Sequence, residues 1–135
     1  MKRLLVTGSR KWDEPDTIRD ALYVAFLQLG GQSGERITLV HGGAIGADLT
    51  AAEIWTRESG MPTEEHRSMW EIWGKRAGIL RNETMVQRGA DLCLAFILDS
   101  SPGSSHCAQY AEDHGIPVRY FRKVSKLGQD GDGNG

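Results

Sequence analysis

Hydrophobic positions along this chain follow two alternating periods. Short apolar runs at Arg3 to Thr7, Arg36 to Val40, Asp91 to Leu98 and Pro117 to Phe121 are bounded by glycine, proline or serine and read as strands. Pro62 to Arg67 is weak in apolar content but sits where a further strand is due. Between these runs the spacing shifts to three and four. Pro15-Asp16 opens a helix, because proline fits the first helical turn. Its residues Ile18, Ala21, Leu22, Ala25, Phe26 and Leu29 make one apolar face. Gly30-Gly31 ends it, and a flexible loop is expected to Gly34. Ala47 to Ser59, Arg76 to Arg88 and Gly103 to His114 read as further helices, each followed by a glycine. Trp55 stands at core spacing on the second of the four, and Trp70 to Lys75 reads as a short helix or loop.

Strand and helix alternate, which predicts an α/β fold: a single-domain three-layer sandwich with a parallel sheet of about five strands between helices. The expected strand order is 3-2-1-4-5 with right-handed crossovers. The domain is expected over residues 1–124, followed by a flexible glycine and aspartate tail over 125–135. Composition narrows the class. The chain has 135 residues, sixteen basic against eighteen acidic, for a formal charge of −2. That balance argues against a polymer-binding protein held by bulk electrostatics. No apolar run is long enough for a membrane span. The Met1 to Gly8 stretch is too short for a signal h-region, so a cytoplasmic location is expected. Cys93 and Cys107 are too few for a disulfide framework and read as buried thiols.

In such sheets ligands bind beyond the carboxyl ends of the strands, where the order reverses. Three small-residue loops are expected there: Gly8-Ser9-Arg10, His41-Gly42-Gly43-Ala44-Ile45-Gly46-Ala47-Asp48, and Ser100-Ser101-Pro102-Gly103-Ser104-Ser105. Each leads toward a helix N-terminus, whose free N–H groups and dipole favour phosphate. The dinucleotide fingerprint fails because the glycine loop follows the second strand, and no P-loop or Gly-x-Ser-x-Gly elbow is present.

These loops, with Ala77-Gly78, Arg81-Asn82 and Met85, Asp91 to Phe96, and Gly115-Ile116-Pro117-Val118, form an ordered set. The set resembles the YspA-like branch of the SLOG superfamily over nearly the whole chain up to about Phe121. That superfamily also contains LOG-type phosphoribohydrolases and Smf/DprA proteins. The resemblance implies a Rossmann-like fold, a pocket for nucleotides or nucleotide-derived ligands, and a homodimer. LOG-type enzymes carry Pro-Gly-Gly-x-Gly-Thr-x-x-Glu after the fourth strand, with a catalytic glutamate. Here Cys107 falls at that position, or Tyr110 in the alternative alignment. Neither is a carboxylate, and N-glycosidic cleavage draws on carboxyl groups.

The candidate ligand residues are Gly8, Ser9, Arg10, Gly42, Gly43, Gly46, Asp48, Arg81, Asn82, Gly103, Ser104 and Ser105. Arg10 and Arg81 suit phosphate through their planar fork. Asn82 is read as holding a neighbouring loop. Asp48 either supports the start of the second helix or holds a ribose hydroxyl. The serines are natural phosphate donors and equally natural turn and cap residues. If the protein is a hydrolase, Arg81 and Asp48 are the candidate catalytic pair. His41 reads as packed and hydrogen-bonded. Trp70 and Trp73 are placed to cover the pocket or to pack, and Trp12 to line the same crevice. Arg119, Arg122, Lys123 and Lys126 read as a solvated face. The histidines lack zinc spacing, so no metal site and no required cofactor are expected; a divalent cation would enter only with a phosphate ligand.

Three functions remain open from sequence. One is a sensor or binding protein for a small nucleotide-derived ligand. Another is a nucleotide hydrolase of the phosphoribohydrolase or N-glycosidase type. The third is a DNA-processing protein in the manner of Smf/DprA, which the charge disfavours.

Overall fold

The computed structural model describes residues 1–125, the side chain of Lys75 excepted. Five strands, β1 (Lys2–Gly8), β2 (Ile37–His41), β3 (Thr63–Glu65), β4 (Leu92–Leu98) and β5 (Val118–Lys123), form one sheet in the order β3-β2-β1-β4-β5. Every pairing is parallel. The helices are α1 (Pro15–Gln28), α2 (Ala47–Ser59), the four-residue α3 (Trp70–Trp73), α4 (Ala77–Gln87) and α5 (Pro102–Asp113). This is the doubly wound, Rossmann-like arrangement expected from the alternating periods.

The burial pattern explains the layers. All seven residues of β4 are buried, as a strand covered on both faces requires. Alternate residues of β1 point to opposite sides. Leu4 and Val6 join Ile18, Leu22, Leu39, Ile54, Trp55 and Phe96 in the larger core, under α1 and α2. Leu5 joins Val40, Met85, Val86, Cys93, Cys107 and Ala111 under α4 and α5. The buried residues of α5 are all small (Ser104, Cys107, Ala108 and Ala111), which lets it sit close to the sheet. Both cysteines are free and buried.

The structure corrects several sequence expectations. The stretch after Gly30 is a 3₁₀ turn, Gly31–Ser33, with Gly30 O accepting from the Ser33 and Glu35 N–H groups at 3.0 Å each. The third strand is three residues rather than six, a polar edge paired only with β2. β5 runs past Phe121 to Lys123, whose ammonium pairs with Asp13 and Glu14. Trp70 to Lys75 divides into α3 and a 3₁₀ turn, Gly74–Arg76. Trp12 does not line the crevice. It is buried edge-on against Phe96, centroids 5.5 Å apart, and its Nε1–H donates to Glu14 O. The expected tail lies, from residue 126, outside the described residues. Among the described residues no helix is long and apolar enough to cross a membrane.

Candidate ligand-binding crevice

The chain winds outward from β1 through β2 to β3, then returns to the other side of β1 as β4. The loops leaving β1 and β4 therefore splay apart at their carboxyl ends. A crevice of about 980 Å³ opens there. Gly8, Ser9, Arg10 and Lys11 form its β1 wall, and Gly42, Gly43 and Ala44 its β2 wall, with Asp48 behind them. Asp99, Ser101, Gly103 and Ser104 supply the β4 wall, and Arg81 and Asn82 face them from α4. Ten of the twelve candidate ligand residues thus meet in one place. Gly46 and Ser105 do not. Gly46 has φ +88° and is packed so tightly that a Cβ would strike the carbonyl oxygens of Ser9 and Arg10. The Ser105 hydroxyl donates to Ser100 O at 2.9 Å.

The loop after β2 turns its amides inward. The Asp48 carboxylate accepts from the Gly42 N–H at 2.9 Å and from the Ala44 N–H. His41 Nδ1 accepts from the Gly43 N–H at 3.0 Å. Asp48 stands in the first turn of α2, but no side chain caps that helix. Asp48 instead staples the loop that precedes it. Burial pushes the Asp48 carboxyl up to about 6, against the downward pull of the Gly42 N–H and the Arg81 guanidinium. Burial also lowers the His41 imidazole, which fits a packed neutral ring accepting at Nδ1.

Arg81 is held by the same loop. Its Nη1–H donates to Gly42 O at 2.8 Å and its Nε–H to Asn82 Oδ1 at 2.7 Å. The guanidinium lies where a Cβ on Gly42 would stand, so a side chain at residue 42 would push Arg81 out of this position. Two of the five guanidinium N–H groups are used in this way. Asn82 in turn donates from Nδ2 to Gly103 O at 3.5 Å, tying α4 to the first turn of α5. Ser9 is committed to the frame, its Oγ accepting from the Leu98 N–H at 2.8 Å and joining the ends of β1 and β4.

The loop after β4 is built differently. Asp99 and Ser101 have φ of +58° and +33°, the two non-glycine residues with positive φ among those described. Strain of this kind collects at ligand clamps and active sites. It leads into α5, whose first hydrogen bond runs from the Ser105 N–H to Ser101 O. The Gly103 and Ser104 N–H groups precede that bond, and no side chain caps the helix. Beside them Arg10 and Lys11 are exposed and form no ion pair among the described residues.

Sequence reasoning missed the wall supplied by the end of β3, namely Glu65, Arg67 and Ser68. Its signal was position alone, the carboxyl end of a parallel strand, with no glycine run to mark it. Neither candidate for the glutamate of the LOG-type motif stands in the crevice. Cys107 is in the core, its thiol pushed up to about 11 by burial. Tyr110 packs between His106 and His114 and accepts a hydrogen bond from Gln87. Among the described residues no group of three or more His, Cys, Asp or Glu side chains is arranged to hold a metal ion.

The fold and this crevice define a Rossmann-like α/β protein with a cleft at its switch point. The chain belongs to the YspA, cpYpsA-related SLOG family, whose model matches residues 2–72. It is 45% identical over 126 residues to the Gene 61 protein of Mycobacterium phage D29, covering 90% of this chain and 97% of that one. The X-ray structure of TM1055, a structural genomics target, shares the fold with a TM-score of 0.62 at 18% identity, over 87% of this chain and 72% of that one.

Proposed function

We propose that the crevice binds a nucleotide or nucleotide-derived ligand, with its phosphate on the first turn of α5, and that the protein acts as a sensor or binding protein. The observation that carries this reading is the pair of uncapped N–H groups at Gly103 and Ser104, opening on a crevice that also holds Arg10 and Lys11, cations without an ion-pair partner among the described residues. Uncapped amides, the helix dipole and arginine act together on a phosphate. Leu49, Trp70 and Ile79 supply apolar wall for a base or ribose. Thermal shift with AMP, ADP-ribose, NAD and cyclic nucleotides tests the reading. At a hundredfold excess over Kd, a true ligand stabilises the fold by about 2.7 kcal/mol, and Arg10→Ala weakens that ligand by about tenfold. No stabilisation by any of them, with no nucleotide copurifying by mass spectrometry, rejects it.

A second reading, hydrolysis of an N-glycosidic bond, is favoured by Asp48. Its carboxyl, at about 6, lies in the range of a working acid or base and borders the crevice. This reading expects release of ribose 5-phosphate from AMP, abolished in Asp48→Asn. Wild-type protein that binds AMP without releasing ribose 5-phosphate leaves the binding function alone standing.

A further inference from the structure

The end of β3 carries a second arrangement beside the crevice. Glu64 accepts from Arg3 Nη1–H at 2.9 Å and from Nη2–H at 3.0 Å. That bidentate pair holds the Glu64 carboxyl down to about 2, so it is ionised and can only accept. The same carboxylate lies 2.5 Å from His66 Nε2. Nε2 therefore carries the hydrogen, and in the neutral ring Nδ1 is a bare acceptor. Nδ1 has no partner among the described residues. The backbone of His66 is fixed as well, its N–H donating to His41 O at 2.8 Å. His66 lines a cleft of about 680 Å³ together with Met69, Trp73, Leu80 and Thr84. Glu65, Arg67 and Arg81 line both this cleft and the crevice, so the two spaces are continuous. Arg81 stands next to Asn82, whose amide reaches Gly103 O at the start of α5. A ligand with its phosphate on α5 passes Arg81 on its way into the cleft.

We propose that this cleft is a base-recognition subsite, in which Trp73 stacks on the base and His66 Nδ1 accepts a hydrogen bond from an N–H on its edge. The ligand class is a nucleotide whose base carries an amino group, as adenine does. The inference rests on the nucleotide reading above and adds to it the end of the ligand far from the phosphate. Trp73 is 55% exposed, with its ring free to take a planar partner, and Met69 offers a polarisable thioether beside it. The polar groups of the cleft decide which bases fit. The Thr84 hydroxyl donates to Leu80 O at 2.9 Å, so toward the cleft it too is an acceptor. The Glu65 carboxylate accepts from Arg67 at 3.0 Å and can accept again. His66 cannot turn an N–H toward the ligand without giving up Glu64. Three acceptors on one wall call for a donor on the base. A site built to accept from an N–H rejects the analogue that lacks it, because the acceptor is left unpaired.

Titration calorimetry on the full chain at pH 8, above the ordinary imidazole range, compares AMP with purine riboside 5′-monophosphate, which has hydrogen in place of the amino group. Wild type is expected to bind AMP about tenfold more tightly. His66→Phe keeps a ring in place without an acceptor and is expected to bring the two Kd values together by weakening AMP alone. Trp73→Ala, at an exposed position, is expected to weaken both nucleotides about tenfold and to keep their ratio. Equal binding of the two nucleotides by wild type overturns the inference without recourse to a variant and leaves the nucleotide reading standing. So does a ratio that survives in His66→Phe with unchanged circular dichroism, or a Trp73→Ala that binds both as wild type does. AMP that does not bind at all overturns the inference too. The nucleotide reading falls with it only where ADP-ribose, NAD and cyclic nucleotides also fail to stabilise the fold and no nucleotide copurifies.

Discussion

The loop after β2 and the loop after β4 look alike in sequence and behave differently in the fold. Both are rich in glycine and small residues, and both lead into helix N-termini at the carboxyl edge of the sheet. After β2, the Gly42, Gly43 and Ala44 N–H groups all find acceptors within the chain, in Asp48 and His41. After β4, Gly103 and Ser104 open a helix that no side chain caps. A glycine loop that carries its own carboxylate is a structural staple. A glycine loop without one keeps its donors for an anion. The difference rests on Asp48, reaching back six positions to Gly42, and on His41, which takes the Gly43 N–H.

The staple is broken most severely at Gly46. Its φ of +88° and ψ of −131° lie in a region that glycine alone occupies readily. A methyl there would also meet the carbonyl oxygens of Ser9 and Arg10. The Ala47 N–H donates to that same Ser9 oxygen, so the β1 and β2 loops cannot move apart without losing a hydrogen bond. Gly46→Ala is expected to cost about 3 kcal/mol or more, read as a lowered urea midpoint. An unchanged midpoint would mean that these two loops are not locked together.

Much of the fold was legible because both periods are strong in the interior. β4 and the apolar face of α1 carry nothing that points elsewhere. The misjudged elements lie at the edges. Glu64, in β3, is exposed enough to pair with Arg3, and Arg122 and Lys123, in β5, interact with Tyr120, Asp13 and Glu14. A strand built of such residues has no apolar alternation to reveal it. For the site, the switch-point rule located the three glycine loops, but composition does not reveal the direction of an amide. That direction depends on Asp48 and on Arg81, whose bond to Gly42 spans 39 positions of sequence. Trp12 was misplaced because an aromatic residue after a turn reads as surface, whereas its ring fits against Phe96, which stands beside Gly8 in the neighbouring strand.

A smaller and pH-dependent change is expected at the staple itself. The Asp48 carboxyl lies at about 6 in the fold, against an ordinary value of 3.8. The folded state therefore holds this proton more tightly than the unfolded chain does. The associated stability is fully present below about pH 4 and is lost as the pH rises through about 6. Asp48→Asn removes the titration while keeping an oxygen for the Gly42 N–H. Wild type is expected to lose roughly 2 kcal/mol relative to Asp48→Asn between pH 4 and pH 7, measured by urea denaturation at each pH. Glu64 works in the opposite sense. Its hydrogen bond with Arg3 holds it down to about 2, so its contribution is present above about 4.5 and lost only as the pH falls toward 2. The two windows barely overlap, which lets the Asp48 difference be read without the other carboxylate. Parallel curves for wild type and Asp48→Asn would show that the staple is not a buried charge.

The smallest effect is expected from Gly103→Ala, the same chemical change as Gly46→Ala made in the other loop. Gly103 lies in the first turn of α5, its φ is not in the left-handed region, and a Cβ there meets nothing within 4 Å. Alanine forms helix more readily than glycine and has less freedom to lose on folding, so stability should change by no more than about 0.5 kcal/mol, in the favourable direction. The residue keeps its N–H, so a donor to an anion remains. The test is the paired urea curve of the two alanine variants. If Gly103→Ala destabilised the protein as much as Gly46→Ala, the β4 loop would be packed as tightly as the β2 loop, and its amides would have to be read as structural too. A neutral Gly103→Ala beside a damaging Gly46→Ala separates a glycine required by packing from one that leaves room at a helix N-terminus.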